Sequence, residues 1–196
     1  MAGQFESTGD GGAAIALDEV EISILRTLAV QLLELIGPGE QPAGAEDPLD
    51  TLLAEGPSEP PSDPALARLF PEAYLGPDTG PGEEEAARAA SAEFRRYTEN
   101  DLRARKREDA LAVVRALDAL SPQGAGGAVL TLAEAESKQW LGALNDLRLA
   151  IGTRLEVQED DDALYQLPDS DERKPMVMAY LWLGALQESL VETLSV

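Results

Sequence analysis

Side chains that could bind phosphate or an acidic protein surface are concentrated between residues 95 and 107 of an otherwise acidic sequence. On a continuous helix, Arg96, Arg103 and Arg107 are spaced by seven and four residues, which aligns them along one face. A ridge of this kind is typical of a surface that follows a phosphate backbone or binds an acidic protein. We therefore choose these three arginines as the candidate partner-binding residues.

Acidic side chains in the same stretch favour a different interpretation. Glu99 and Asp101 stand four residues before Arg103 and Arg105, in the order that favours ion pairs within a helix. A solvated face that pairs with itself, a protein-binding ridge and a nucleic-acid contact therefore stay open as alternatives. The formal net charge of −22 repels phosphate backbones, so we expect any nucleic-acid binding to be weak and steeply salt-sensitive.

An acidic loop at residues 158–162, Gln-Glu-Asp-Asp-Asp, contains four consecutive carboxylates, Glu159 to Asp162, and a hard cation requires such side chains. The run lacks the spaced ligands and the turn glycine of a calcium loop. It follows a predicted helix, where a solvated acidic loop is common. We predict no metal site here, and the role of this loop stays open.

Asp146, Arg148 and Arg154 are charged residues in or near an otherwise apolar helix. Their residue types could form an anion-binding or acid–base site. Asp146 and Arg148 are two residues apart and so do not share a helix face, which means that each needs a partner from another helix. We interpret the three as structural, in ion pairs between helices, and predict no catalytic residue.

The sequence contains no cysteine and no histidine. This composition excludes disulfides, thiolate catalysis and the commonest transition-metal ligands. We also find no glycine-rich phosphate loop, no nucleophile–base pair and no helix-turn-helix signature. We therefore expect that the protein is not an enzyme and that it binds no cofactor. The alternatives are direct DNA binding through the basic ridge and an enzyme whose motif is not recognisable.

No apolar run approaches the roughly 20 residues of a membrane-spanning helix. The N-terminus also lacks the basic start and apolar core of a secretory signal. We expect a cytoplasmic protein without membrane contact. Its negative charge favours basic or apolar protein partners.

The chain of 196 residues suits one well-buried domain. The predicted fold is mainly α: a single-domain helical bundle with two related strand-helix units and a short two-stranded β ribbon. Residues 1–12 are polar and glycine-rich, so we expect them to be disordered before a helical domain at 13–196. Within that domain, residues 37–82 are dense in proline, glycine and acid, which predicts a loop insertion carrying short helices at Pro48–Ala54 and Pro64–Phe70.

Residues 15–21 and 130–136 align at an offset of 115 residues. Each segment reads as a short apolar strand that runs into a helix with an acidic first turn. At this offset three apolar pairs coincide: Leu25 with Trp140, Leu32 with Leu147, and Ile36 with Ile151. We infer two related units whose strands pair with each other as a ribbon while the helices pack side by side. A chance match between two common patterns is the alternative.

The segment Trp140–Leu155 and its partial repeat at Trp182–Leu186 both begin with Trp-Leu-Gly-Ala-Leu. Helical spacing of the apolar residues predicts two core helices, in which Trp140 and Trp182 are structural. Gly142 and Gly184 are unfavourable inside helices by about 1 kcal/mol relative to alanine. We therefore expect each glycine to mark a close helix crossing.

Two further helices complete the expected bundle. Residues 83–120 predict a long helix, with a break near Thr98 where the sequence resembles a capping box. The segment Met176–Leu194 is apolar most of the way round, which favours a central position in the fold or in a homodimer. We expect Met176 and Met178 to pack in the core.

Two stretches of the sequence are distinctive enough to indicate a family. They are Asn-Asp-Leu-Arg-Leu-Ala-Ile-Gly-Thr-Arg-Leu at 145–155 and Arg-Lys-Pro-Met-Val-Met-Ala-Tyr-Leu-Trp-Leu-Gly-Ala-Leu-Gln-Glu at 173–188. In these stretches the sequence resembles an actinobacterial family formerly described as a domain of unknown function, the AosR-like oxidative-stress transcriptional regulators. The resemblance implies a cytoplasmic regulator that acts partly by contact with the transcription machinery, with a sigma factor as a candidate partner. A member that sensed oxidants by forming a disulfide could not do so with this sequence.

Overall fold

The computed structural model of the protein describes residues 3–9, 11–38, 55–76, 79–80, 82–120, 127–158 and 166–195. The described part is mainly α, as predicted. Its helices are α1 (Glu19–Ile36), α2 (Pro64–Leu69), α3 (Glu84–Asp118), α4 (Glu134–Arg154) and α5 (Lys174–Leu194). Its strands are β1 (Glu6–Ser7), β2 (Ala13–Leu17) and β3 (Ala128–Leu132). The short helix predicted at Pro48–Ala54 and residues 159–162 of the acidic loop lie outside the described residues.

Helix α1 begins and ends where its local sequence dictates. The Asp18 side chain accepts a hydrogen bond from the Glu21 amide at 2.8 Å, and the Glu21 carboxylate accepts one from the Asp18 amide at 3.0 Å. This reciprocal pair satisfies two amides at the helix start. At the other end, Gly37 adopts a φ of 64°, a left-handed conformation that glycine tolerates and that ends the helix.

The sheet confirms the predicted ribbon and adds one strand. β2 and β3 pair antiparallel, with Ile15 opposite Leu130, and β1 pairs antiparallel with β2. Residues 3–9 are therefore ordered, in contrast to the disorder expected for 1–12. Phe5 explains this difference, since its ring is buried and meets the Trp140 ring edge-on at 6.1 Å. Its amide donates to Ser189 Oγ at 3.2 Å, which fixes the segment on α5.

The offset of 115 residues relates the two strand-helix units in the structure. Positions that coincide are buried in both units: Ile15 and Leu130, Leu17 and Leu132, Leu25 and Trp140, Ala29 and Leu144, Leu32 and Leu147, Ile36 and Ile151. The helix starts also correspond, because the Glu136 carboxylate accepts from the Ala133 amide at 2.8 Å, as Glu21 does from Asp18. Ala133 has no side-chain oxygen, so only this half of the capping box forms in the second unit.

Helix α3 is continuous over 35 residues, about 52 Å at 1.5 Å per residue. The break expected near Thr98 is absent, because the Thr98 hydroxyl donates back to the Phe94 carbonyl at 2.8 Å instead of capping a new helix. The continuous helix keeps residues 95, 99 and 103 on one face. That face is buried by the segment that contains α2 and by the end of α1.

Helix α5 packs mainly on α4 and on strands β1 and β2. The central position in the fold that its apolar sequence favours belongs instead to α4, which contacts α1, α2, α3 and α5. Val177, Leu183, Leu186 and Leu190 are buried in the common core, and Trp182 is partly buried against it. The predicted core packing of Met176 is wrong, and so is that of Met178. Both side chains lie at the surface in the first turns of α5, because the core face of this helix begins at Val177.

Candidate functional site

The predicted basic ridge does not form one solvated face. Arg103 is buried, and its guanidinium donates to the Glu99 carboxylate at 2.6 Å, which confirms the expected pairing of these two residues. The same carboxylate accepts from Arg95 at 2.6 Å, and Arg95 is also buried. Two guanidinium groups therefore share one buried carboxylate along α3. The three charges of this triad are paired with one another inside the fold, because charges that are removed from water need a partner of opposite sign.

The triad and Arg107 bind the carboxyl end of α1. Arg103 donates to the Ile36 carbonyl, and Arg107 donates to the Leu33 carbonyl at 3.1 Å. The last turn of α1 contains no basic residue of its own. Positive charge is favourable at a helix C-terminus, so α3 supplies the cations that α1 lacks.

The segment after α2 is held by the same arginines. Arg95 donates from two nitrogens to the Phe70 carbonyl, at 3.2 Å each, and the Arg103 guanidinium lies 4.4 Å from the centre of the Phe70 ring. Arg96, which is half-buried, donates to the Glu55 carboxylate at 2.5 Å. The structure therefore gives Arg96, Arg103 and Arg107 partners within the chain. Their predicted contact with a partner protein stays a prediction, and it would have to compete with these bonds.

A second charged cluster lies between α3 and α4. The Lys106 ammonium lies 2.6 Å from the Asp146 carboxylate, and Asp146 is 2% exposed. This is the ion pair between helices that the sequence predicted for Asp146. Burial raises the pKa of Asp146, against the lowering effect of Lys106. Burial, with the Asp146 charge as the next cause, also raises the pKa of Asp109.

The two arginines predicted to pair between helices behave differently. Among the described residues, neither Arg148 nor Arg154 forms a salt bridge. Arg148 instead bonds to Gln187 Oε1 of α5 at 2.7 Å and lies 5.2 Å from the centre of the Tyr180 ring. Arg154 is exposed at the end of α4.

The surroundings of Gly142 and Gly184, the glycines of the two Trp-Leu-Gly-Ala-Leu segments, also differ. A Cβ atom added at Gly142 would lie 2.7 Å from the Asp109 carboxylate, so a side chain of α3 occupies the space above this glycine. At Gly184 the nearest atom would be the Arg148 Nε at 3.4 Å, an ordinary contact with a flexible side chain. The helix crossing is therefore tight at Gly142 and looser at Gly184.

An apolar groove of about 580 Å³ lies between the C-terminal halves of α1 and α4 and the first turns of α5. Its apolar lining consists of Leu28, Leu32, Leu35, Leu147, Ala150, Ile151, Pro175, Met176 and Ala179. The floor is part of the core, since Leu32 and Leu147 are almost fully buried. On the wall, Met176 is 43% exposed, which is high for a large apolar side chain. The volume lies in the range of sites that bind ligands or rows of apolar side chains.

Polar groups border the groove without filling it. Gln31 and Glu34 stand on the α1 side, and Arg154 stands on the α4 side. A carboxylate and a guanidinium on opposite borders would orient a bound molecule by charge. Sequence reasoning missed this site because its walls come from three distant segments. The signal that could have found it is the 115-residue offset, which places Leu32 with Leu147 and Leu35 with Ala150.

Metal-binding side chains do not converge in the part of the chain that the structure covers. Within it, no three His, Cys, Asp or Glu side chains are placed to hold a metal ion. No described helix is long and apolar enough to cross a membrane. The feature of this part of the molecule that could bind a partner is the concave apolar groove described above.

Comparisons with known proteins agree with the sequence resemblance. A family model described as a domain of unknown function (DUF2017) matches residues 2–194. The chain is 34% identical over 179 residues to the putative oxidative stress regulator AosR of Mycobacterium leprae, covering 87% of this chain and 77% of that protein. It is 29% identical over 176 residues to the oxidative stress regulator AosR of Mycobacterium tuberculosis, with the same coverage. No solved structure matches significantly.

Proposed function

We propose that this chain, which belongs to the DUF2017 family, is a cytoplasmic, non-enzymatic regulator of transcription in the response to oxidative stress. It acts by protein contact, and its partner is a sigma factor or another component of the RNA polymerase machinery. The names of its relatives support the regulatory role. The apolar groove is the observation that carries the mechanism, because a contact needs a surface from which water can be displaced.

The occupant that fits this groove is an amphipathic helix of the partner. Grooves between helices bind such helices through apolar side chains at positions i, i+3, i+4 and i+7. The opposed charges of Glu34 and Arg154 give the bound helix a direction. The net charge of −22 attracts partners that are basic near the contact and repels a second copy of this chain.

Direct DNA binding through residues 95–107 is less well supported. Arg95 and Arg103 are buried, and Arg107 donates to a backbone carbonyl. A phosphate contact by these side chains would first have to break bonds that hold α1 and the Phe70 segment in place. The overall negative charge acts in the same direction, because it lowers the local concentration of nucleic acid around the protein.

The proposal is tested by comparing two variants of α5, one in the groove and one outside it. Ala179→Glu places a charged side chain on the groove wall, where Ala179 is half-buried. Val191→Glu makes a change of the same sign at an exposed position near the other end of the helix, outside the groove. Both replace a residue by a good helix former, so both variants should keep the fold.

The assay titrates the fluorescently labelled full chain with purified RNA polymerase core and with each purified sigma factor of the native organism. We expect one of these proteins to bind, with an affinity that Ala179→Glu lowers at least tenfold and Val191→Glu leaves unchanged. Equal affinities for both variants, or no binding to any of these proteins, would contradict the proposal. Self-association that Ala179→Glu abolishes would also contradict it, because the groove would then hold a second copy of the chain.

A further inference from the structure

Two methionines lie close together at the surface near the start of α5. The side chain of Met176 is 43% exposed and that of Met178 is 55% exposed. The sequence has three methionines and no cysteine, so thioethers are the only sulfur groups that an oxidant can reach in this chain. Exposure matters because the oxidation of sulfur in proteins follows access to solvent.

The two positions differ in what they contact. Met176 lines the apolar groove together with Pro175 and Ala179, whereas Met178 is not part of its lining. Two residues along an α-helix turn the side chain by about 200°, so Met178 points away from the groove. The chain therefore contains an exposed methionine inside the groove and, two residues away, a somewhat more exposed one outside it.

We propose that the Met176 thioether is an oxidation site for peroxides, and that its conversion to the sulfoxide weakens binding in the groove. This inference rests on the function proposed above, and it identifies where a peroxide signal would act. The lone pair of the sulfur attacks one peroxide oxygen, and the O–O bond breaks as the S–O bond forms. The sulfur loses two electrons, the second oxygen leaves as hydroxide, and the proton of the transferred oxygen converts that hydroxide to water.

The physical effect follows from the polarity of the product. A thioether is a flexible apolar group that packs well in a groove, whereas a sulfoxide carries a strong acceptor oxygen. Most of the side chains that line the groove with Met176 are apolar, among them Leu28 and Ala179, so a bound apolar surface would leave this oxygen without a donor. The groove should therefore bind apolar partners less tightly when Met176 is oxidised and regain its affinity when the sulfoxide is reduced.

The test uses the full chain and anilinonaphthalene sulfonate, a dye that binds exposed apolar surfaces and has an anionic group suited to Arg154 on the border of the groove. Dye affinity is measured before and after mild hydrogen peroxide in the unmodified chain, Met176→Leu and Met178→Leu. Peptide mass spectrometry records the oxygen added at each methionine. Leucine preserves apolar volume but cannot be oxidised, which makes Met178→Leu the matched control.

We expect peroxide to lower dye affinity roughly tenfold in the unmodified chain and in Met178→Leu, and to leave Met176→Leu unchanged. A methionine sulfoxide reductase should restore the lost affinity. Full oxidation of Met176 without loss of affinity would overturn the proposal, and so would protection by Met178→Leu alone.

The Ala179→Glu variant separates this proposal from the one on which it rests. If it lowers dye affinity in the reduced protein, the groove is a binding surface, and the peroxide result then tests Met176 alone. If the dye binds Ala179→Glu as tightly as the unmodified chain, the groove is not the binding surface and both proposals fail.

Discussion

Lys106 and Asp146 join α3 to α4 through an ion pair of 2.6 Å in which both side chains are shielded from water. A buried pair of this kind contributes little net stability compared with an apolar pair, but removing one partner leaves a desolvated charge behind. The consequence for this protein is that the two residues should be replaceable together and not singly.

We expect Lys106→Met to lower the free energy of unfolding by about 3 kcal/mol, because Asp146 would lose its counter-charge at a site that is 2% exposed. The double variant Lys106→Met with Asp146→Leu should recover most of that loss. Urea denaturation at neutral pH measures both. A single variant as stable as the unmodified chain would show that the ion pair is not needed to hold Asp146 at this crossing.

The space above Gly142 gives a second prediction. Gly142→Leu should destabilise the fold by about 1–3 kcal/mol, because its Cβ atom would lie 2.7 Å from the Asp109 carboxylate. Gly184→Ala should be neutral or stabilising, by up to about 1 kcal/mol, because its surroundings are a flexible arginine side chain and alanine favours the helix.

A double-mutant cycle identifies the cause at Gly142. Gly142→Ala should cost stability in the unmodified chain and less in an Asp109→Ala background, where the obstructing carboxylate is gone. Thermal unfolding of the four proteins gives the coupling energy. Equal costs in both backgrounds would locate the obstruction elsewhere.

The buried arginine triad predicts a large effect where a solvated ridge would predict a small one. Arg103→Met removes bonds to Glu99 and to the Ile36 carbonyl, and should cost about 2–3 kcal/mol even though Glu99 keeps Arg95. Arg105→Met, at an exposed position on the same helix, should change stability by less than about 0.5 kcal/mol. If urea denaturation gives similar values for the two variants, the triad does not hold α1 and Phe70 on α3.

The charge of Asp109 predicts how stability depends on pH. Its pKa is raised in the folded protein, chiefly by burial and then by Asp146, so the folded state binds this proton more tightly than the unfolded chain does. Stability from this group is present at low pH and is lost as pH rises from the ordinary carboxyl value through the raised one. Asp109→Asn should therefore gain stability relative to the unmodified chain as the pH rises above the ordinary carboxyl pKa of about 4.

The difference between the two proteins is the quantity to measure, by urea denaturation at each pH. Asp118 and Glu134 act in the opposite sense, since ion pairs lower their pKa, and their contribution cancels in the difference because it is present in both proteins. A difference that shrinks as pH rises would contradict the account of Asp109.

Local signals predicted most of the secondary structure. Asp18 and Gly37 determine the ends of α1 through contacts within a few residues, so the sequence alone places this helix. The offset that matches Ile15 with Leu130 predicted the strand pair, because both units have the same strand-helix pattern. β1 was missed because a two-residue strand has no periodicity, and its order depends on Phe5 reaching Trp140 across 135 positions of the sequence.

The candidate site was less accessible to sequence reasoning. The sequence shows that Arg103 pairs with Glu99, but not that the Ile36 carbonyl, 67 residues away, buries the pair. The position of Met176 was misjudged because the apolar run of α5 hides where its core face begins. The groove exists only once three distant segments are packed together, so only its repeat-related members could have been proposed from the sequence.

The central claim, contact with the transcription machinery through the groove, is tested most directly by amide hydrogen exchange. The full chain is compared alone and with the purified RNA polymerase holoenzyme of its native organism. We predict slower exchange in the C-terminal halves of α1 and α4 and in the first turns of α5, the segments that line the groove, with residues 95–107 unchanged. Slower exchange at 95–107 with the groove unchanged, or no change in any segment, would contradict the claim.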